Sequence, residues 1–101
     1  MTPEGRVKYE VKKRLRAYGA QVWQYWPVNT GYGKRTVDLH MCVRGRLFLI
    51  EFKAPGEEPT GIQHKHLKDA MLAGAVTAWF DDADKFHAFL LACFPDLKPA
   101  P

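Results

Sequence analysis

The stretch 47-LFLIEFKAPGEEP-59 joins an apolar strand pattern to charged residues. Five of the six residues from Leu47 to Phe52 are apolar, which is typical of a buried strand, yet Glu51 interrupts them and Lys53 follows directly. Carboxylate and ammonium groups are rarely buried unless they are paired or bound to a metal. The pattern therefore predicts that Glu51 has charged neighbours in the fold.

The preceding stretch, 37-VDLHMCV-43, supplies such a neighbour. It alternates apolar and polar residues, with Asp38 on the polar face. Glu51 and Lys53 are two residues apart, so they share a face of their own strand. A hairpin turning at Gly45 pairs Asp38 with roughly the residue after Glu51. We therefore predict that two carboxylates and one ammonium group meet at one end of a sheet.

This combination of side chains suits metal-assisted hydrolysis of a phosphodiester. Asp38 and Glu51, with the backbone carbonyl of Phe52 and waters, provide the oxygen ligands that Mg²⁺ or Mn²⁺ prefers. Lys53 beside them would orient a water and stabilise charge on a phosphate. The simpler interpretation is an exposed Glu-Lys pair, with Asp38 accepting hydrogen bonds from nearby backbone.

The remaining patterns predict one α/β domain over residues 1–94, with a mixed central sheet flanked by helices in the order α-β-β-β-α-β-α. Residues 95–101 form a tail that we expect to be extended or disordered. The expected elements are a helix over 3–18, strands over 21–26, 37–43 and 47–53, a helix from its cap Thr60 to Gly74, a strand over 75–80, and a helix from Asp81 or Asp82 to about Phe94.

Composition narrows the possible partners and the compartment. The net charge of +4 favours an anionic partner, with nucleic acid preferred over a membrane surface. No apolar run approaches the roughly 20 residues that cross a bilayer, and the polar start is unlike a signal peptide. Cys42 and Cys93 lack zinc-site spacing, which favours a reducing cytoplasm. The loop 29-NTGYGKRT-36 lacks the GK[ST] pattern of a P-loop, so no nucleotide cofactor is expected.

Several stretches together resemble a known family. They are 2-TPEGRVK-8, 27-PVNTGYG-33 and 44-RGRLFLIEFKAPGEEPT-60, with Asp38 before the last of these and Gln63 after it. This pattern resembles the PD-(D/E)XK nuclease superfamily, and more narrowly the VRR-NUC domain in its stand-alone phage-type form, over about residues 3–91. The resemblance implies a restriction-endonuclease-like fold and a metal-dependent endonuclease of branched DNA such as four-way (Holliday) junctions. It also implies a bacterial or phage-infected host cytoplasm.

Carried over to this chain, the resemblance assigns roles to individual residues. It implies that Asp38 and Glu51 bind the metal, that Lys53 is the catalytic lysine, and that Gln63 holds water or phosphate. Members of the superfamily also use a glutamate of the first helix. Glu4 is preferred because it lies in the family-like TPEG segment, and Glu10 is the alternative. One departure is that Val37 stands where the superfamily name has proline, at a position that is not a ligand.

Other residues are candidates for contacts to DNA or to a second copy of the chain. The expected nucleic-acid contacts are Tyr32, Lys34, Arg35, Arg44, Arg46, Lys65 and Lys68. The resemblance also implies a homodimer, which aromatic residues of the last helix would form unless they belong to the core; these are Phe86, Phe89 and Phe94. The rival hypothesis is a non-catalytic DNA-binding module that retains the nuclease fold.

Overall fold

A β-hairpin lies at the centre of the fold, in a computed structural model that describes residues 1–28 and 37–101. Its strands are β2 (Leu39–Val43) and β3 (Arg46–Phe52). The connecting residues Arg44 and Gly45 have positive φ angles of 50° and 80°. Both residues of a two-residue type I′ turn need positive φ, and this turn matches the right-handed twist of the strands. The hairpin is therefore closed as tightly as an antiparallel pair allows.

The observed register corrects the predicted one by a residue. Leu39 pairs with Ile50, and extending this register places Asp38 opposite Glu51 rather than opposite the following residue. The prediction assumed a turn centred on Gly45, whereas the two-residue turn is centred between Arg44 and Gly45. Residues directly opposite each other in an antiparallel pair share a face. The tighter turn thus brings the two carboxylates together more directly than predicted.

Two further strands complete a mixed sheet in the order β1-β2-β3-β4. β1 (Val22–Tyr25) is antiparallel to β2, and β4 (Val76–Phe80) is parallel to β3. Parallel neighbours need a crossover, which α2 (Gly61–Leu72) provides. The predicted α/β class and the order of helices and strands are confirmed.

Helices α1 (Pro3–Arg16) and α3 (Ala83–Cys93) cover the inner face of the sheet. The predicted first helix was longer, but the chain instead enters a short 3-10 turn at Gly19–Gln21. Among residues 1–28 and 37–101, no helix combines the length and apolar character needed to cross a membrane. The fully buried side chains are Val11, Leu15, Leu39, Met41, Val43, Phe48, Ile50, Phe52, Phe86 and Leu90.

Polar side chains fix where the helices begin. Thr2 caps α1 by accepting a hydrogen bond from the backbone of Gly5, and Asp82 caps α3. At α2, Thr60 and Gln63 form a capping box in which each side chain accepts from the other residue's backbone N–H. Such reciprocal bonds satisfy two orphan donors of the first turn. The capping box therefore fixes the position at which α2 begins.

Residues 95–101 lie outside the helices and strands and pack against the domain. Leu97 is buried in the core, and Asp96 forms a two-point ion pair with Arg44 at the hairpin turn. The backbone of Ala100 donates a hydrogen bond to Ala17 at the end of α1. The aromatic residues of the last helix also belong to the interior, since Phe86 and Phe94 are buried and Phe89 packs against them.

Because Leu97 is a core residue, we expect Leu97→Ala to lower the free energy of unfolding by about 2–3 kcal/mol. Urea denaturation followed by circular dichroism measures this change. The control is Lys98→Ala, whose exposed side chain should change stability by less than about 0.5 kcal/mol. Equal stability of the two variants would show that the tail does not contribute to the core.

Candidate active site

Two carboxylates meet where the hairpin strands end. Asp38 Oδ2 accepts a hydrogen bond of 2.8 Å from the backbone N–H of Phe52, which ties the residue before β2 to the end of β3. Glu51 lies opposite Asp38 and beside Trp79 of β4. Glu51 is buried, with 5% of its surface exposed. The pair is therefore held by backbone geometry and shielded from solvent.

The environment of Glu51 changes its protonation. Burial raises the pKa of its carboxyl to about 9, and the adjacent Asp38 adds to the shift through a hydrogen bond and like charge. Lys8 and Lys53 oppose this effect without overcoming it. At neutral pH, Glu51 therefore keeps its proton in the metal-free protein.

Lys53 extends from the end of β3 towards the first turn of α2. Its backbone N–H continues the sheet pairing through a hydrogen bond to Phe80. Its Nζ lies 3.4 Å from Gln63 Oε1 and 3.8 Å from Glu4 Oε1. The same Gln63 oxygen also accepts the capping hydrogen bond from Thr60. The structure thus brings Lys53 and Gln63 together beside the two carboxylates.

The first helix contributes one of the two candidate glutamates. Glu4 contacts Lys8 at 3.2 Å and lies near Lys53, so it belongs to the cluster. Glu10 instead lines a cavity of about 570 Å³ between the start of α1 and the start of α3, together with Arg6 and Lys85. Of the two glutamates, only Glu4 is in position to act with Asp38.

Lys8 is a member of the cluster that sequence reasoning did not single out. Its Nζ lies 2.9 Å from Asp38 Oδ1 and 3.2 Å from Glu4 Oε2. Burial alone would lower the pKa of Lys8, but hydrogen bonds and charge from Asp38 and Glu4 outweigh it and raise the pKa. The available signal was its spacing, because Glu4 and Lys8 are four residues apart and adjoin on a helix.

The donor set of this cluster fits a hard divalent cation. Asp38 and Glu51 offer adjacent carboxylates, and burial together with the neighbouring Asp38 raises the pKa of Glu51. A bound cation would favour loss of the proton from Glu51, since metal ligands must be deprotonated. Within residues 1–28 and 37–101, no three Asp, Glu, His or Cys side chains form one metal-binding group. Two carboxylates and waters suffice for Mg²⁺, which usually keeps several waters.

The residues expected to contact DNA lie in different surroundings. Arg44 is engaged with Asp96 and packs over the ring of Phe94. Arg46 is exposed and lies over Phe48, while Lys65 pairs with Asp69 on the exposed side of α2, near the exposed Lys68. The remaining three lie outside the described residues: Tyr32, Lys34 and Arg35.

Comparison with known proteins identifies the fold. No protein-family model matches the chain, and no curated protein matches it. Among solved structures, a VRR_NUC domain superimposes with a TM-score of 0.74 at 22% sequence identity. The match covers 89% of this chain and 96% of that domain. The chain therefore has the fold of a VRR_NUC domain, and an identity this low shows the fold alone.

The raised pKa of Glu51 predicts how stability depends on pH without metal. Folding favours the protonated form, so this stabilisation is complete below the ordinary pKa of 4.5 and is lost as pH rises towards about 9. Glu51→Gln stays neutral, so in EDTA it should be more stable than the wild type at pH 8 and nearly equal at pH 4.5.

Urea denaturation at a series of pH values measures the difference between the two proteins. Glu57→Gln is the matched control, because Glu57 is exposed in the loop after β3 and should follow the wild type throughout. Parallel stability curves for Glu51→Gln and the wild type would contradict a proton held by Glu51.

Proposed function

We propose that this protein is a metal-dependent DNA endonuclease that hydrolyses phosphodiester bonds. One observation carries the proposal: Asp38 and Glu51 face each other at the sheet end with Lys53 beside them, in a chain that shares the fold of a VRR_NUC domain. This is the residue set that the sequence resemblance to VRR-NUC nucleases implies. The free thiols of Cys42 and Cys93 suit a cytoplasmic setting.

The proposed cofactor is Mg²⁺ or Mn²⁺, held by Asp38, Glu51 and the carbonyl of Phe52. When bound, such a cation polarises a phosphate oxygen and makes a water more acidic. Lys53 stabilises negative charge that develops on the scissile phosphate, as a preorganised donor in a partly buried site does. Gln63 positions Lys53 through its carbonyl oxygen, 3.4 Å from the ammonium group. Its amide nitrogen has no hydrogen-bond partner among the described residues and is available to a water or phosphate.

Glu4 and Lys8 hold the first helix against this centre. Lys8 keeps Asp38 Oδ1 at 2.9 Å, while Phe52 fixes the other oxygen of the same carboxylate. A side chain that is held by two structural elements loses little conformational freedom when substrate binds, which favours a productive geometry. In the proposed mechanism, Lys8 positions Asp38 directly, and Glu4 positions Lys8.

The proposed substrate is branched DNA such as a four-way junction, cut by a homodimer. A junction presents paired strands of opposite direction, so two copies related by a two-fold axis place one site at each strand. The described surface carries a candidate interface, the outer face of the sheet. It has two cross-strand rows, Trp23–Cys42–Leu47 and Tyr25–His40–Leu49.

This outer face carries both a protrusion and a groove, as the interface of a two-fold dimer requires. Trp23 and Tyr25 stack on each other and are 56% and 52% exposed, so they protrude from the sheet. On the same face, an apolar groove of about 340 Å³ lies between β3 and the end of α2. A two-fold interface requires that the same patch supply both protrusion and groove. The groove is lined by Leu47, Leu49, Ala70, Ala73, Gly74 and Ala75.

The nuclease hypothesis predicts metal-dependent cutting that Lys53 supports. With Mg²⁺ or Mn²⁺, the wild type should cleave a labelled four-way junction, and EDTA should stop cleavage. Lys53→Ala should reduce the rate by about 100-fold or more, because it removes charge stabilisation from the site. Asp38→Asn should abolish cutting, while Lys85→Ala, on the surface of α3, should cut normally.

Gel assays with junction, flap and linear duplex measure these rates, and circular dichroism checks that each variant is folded. Binding of DNA without metal-dependent cutting would favour the rival, a non-catalytic binding module. Undiminished cutting by Lys53→Ala would refute the assigned role of the lysine.

The dimer hypothesis predicts a change of mass in one variant. The wild type should elute with twice the 11.5 kDa chain mass in size-exclusion chromatography with light scattering, and Trp23→Ser should dissociate it. Tyr9→Ser is the control, because Tyr9 is an exposed aromatic residue on a different element. A monomeric wild type would refute the dimer. A dimeric Trp23→Ser with weakened binding to single-stranded DNA would instead assign the aromatic pair to base stacking.

A further inference from the structure

The whole net charge of the protein resides on α1. This helix contains six Lys or Arg residues and two Glu residues, a net charge of +4, which equals the net charge of the chain. The other nine basic and nine acidic residues cancel. A concentration of one sign on a single helix creates a local field that attracts polyanions. The modest overall basicity therefore conceals one strongly basic element.

One row of charged residues on α1 begins at the candidate active site and continues along the helix. Glu4 and Lys8 contact the cluster around Asp38, and the same helical row continues every fourth residue with Lys12 and Arg16. At 1.5 Å per residue, Arg16 lies about 12 Å along the axis from Lys8. We call Lys12 and Arg16 the α1 row. It leads from the catalytic cluster along one side of the helix.

Within the described residues, this row makes one cation–π contact and no ion pair. Lys12 Nζ lies 4.9 Å from the ring centroid of Trp26, and Arg16 is exposed. In the part of the chain that the structure describes, neither forms an ion pair. Basic residues in the last turn also complement the helix dipole, but that effect amounts to about 0.3–1 kcal/mol and does not account for Lys12. Two unpaired cations beside the cluster thus remain available to a ligand.

We propose that the α1 row binds the phosphate backbone of the DNA arm that leads to the scissile phosphate. This proposal rests on the proposed nuclease function and names the part of the substrate held outside the catalytic centre. Phosphates of one strand in B-DNA are about 3.4 Å apart along the axis, so the row, about 6 Å long, spans about two of them. Contacts of lysine and arginine with phosphate carry no sequence information, so binding here is independent of sequence.

The helix itself offers a matched control for the test. Arg6 and Lys13 are both exposed and lie about a quarter of a turn around α1 from the row. Lys12→Gln/Arg16→Gln and Arg6→Gln/Lys13→Gln each remove one lysine and one arginine from the same helix. Glutamine is a good helix former, so both variants should keep α1 intact. The two variants differ only in which side of the helix loses its charge.

The affinity of each protein for a 30-base-pair duplex is measured by fluorescence anisotropy in EDTA at several salt concentrations. Each lost phosphate contact reduces the slope of log K against log salt by about 0.9. We expect the row variant, Lys12→Gln/Arg16→Gln, to have a slope shallower by about 1.8, and the control variant, Arg6→Gln/Lys13→Gln, to change by less than about half that amount. Lys12→Arg/Arg16→Lys keeps both charges and should retain the wild-type slope.

Equal slope changes in the two double variants would overturn the proposal, because the helix would then act only through total charge. An unchanged slope in the row variant would overturn it as well. Failure of the nuclease hypothesis is recognised separately, since binding is measured without metal. If the protein binds duplex through the row but never cuts it, the proposal for the α1 row stands and the proposed nuclease function fails.

Discussion

The two-residue turn at Arg44–Gly45 is the constraint on which the candidate site depends. Side chains of a strand alternate between faces, so a shift of one residue in register would send Asp38 and Glu51 to opposite sides of the sheet. The turn requires left-handed backbone at both positions, which costs about 1–2 kcal/mol for a residue other than glycine. Arg44 occupies this region and is held there by its ion pair with Asp96. The C-terminal tail thus supports a turn at the opposite end of the hairpin from the site.

The buried carboxyl of Glu51 shows how the protein balances stability against a reactive site. Three carboxylates and two ammonium groups come together from α1, the end of β3 and the residue before β2. The cluster tolerates this density of charged groups because Glu51 keeps a proton when no metal is bound. Such a site is less stable than an apolar one of the same shape would be. Perturbed pKa values of this kind are common at functional sites. The surrounding apolar core supplies the rigid support on which the charged end is built.

Much of the fold could be predicted from the sequence because its signals are local. The alternation in β2, the apolar run of β3, and the caps at Thr60 and Asp82 define elements through short-range patterns. The register was off by one because the run Leu47–Ile50 is apolar on both faces of β3, so its pattern fits either register. The place of Lys8 in the site could not be predicted from the sequence, for another reason. A lysine on a basic helix has no distinguishing pattern until the packing of that helix places it against Asp38.

The two roles of Gln63 limit which substitutions evolution can accept at this position. Its side-chain oxygen serves the capping box of α2 and the ammonium group of Lys53 at once. Helix stability and any catalytic role therefore favour the same amino acid at this position. A descendant that lost its activity would still keep the glutamine, because replacing it would weaken the start of the helix. Glutamine at this position is thus a poor marker of an active enzyme, and Lys53, which caps no helix, is a better one.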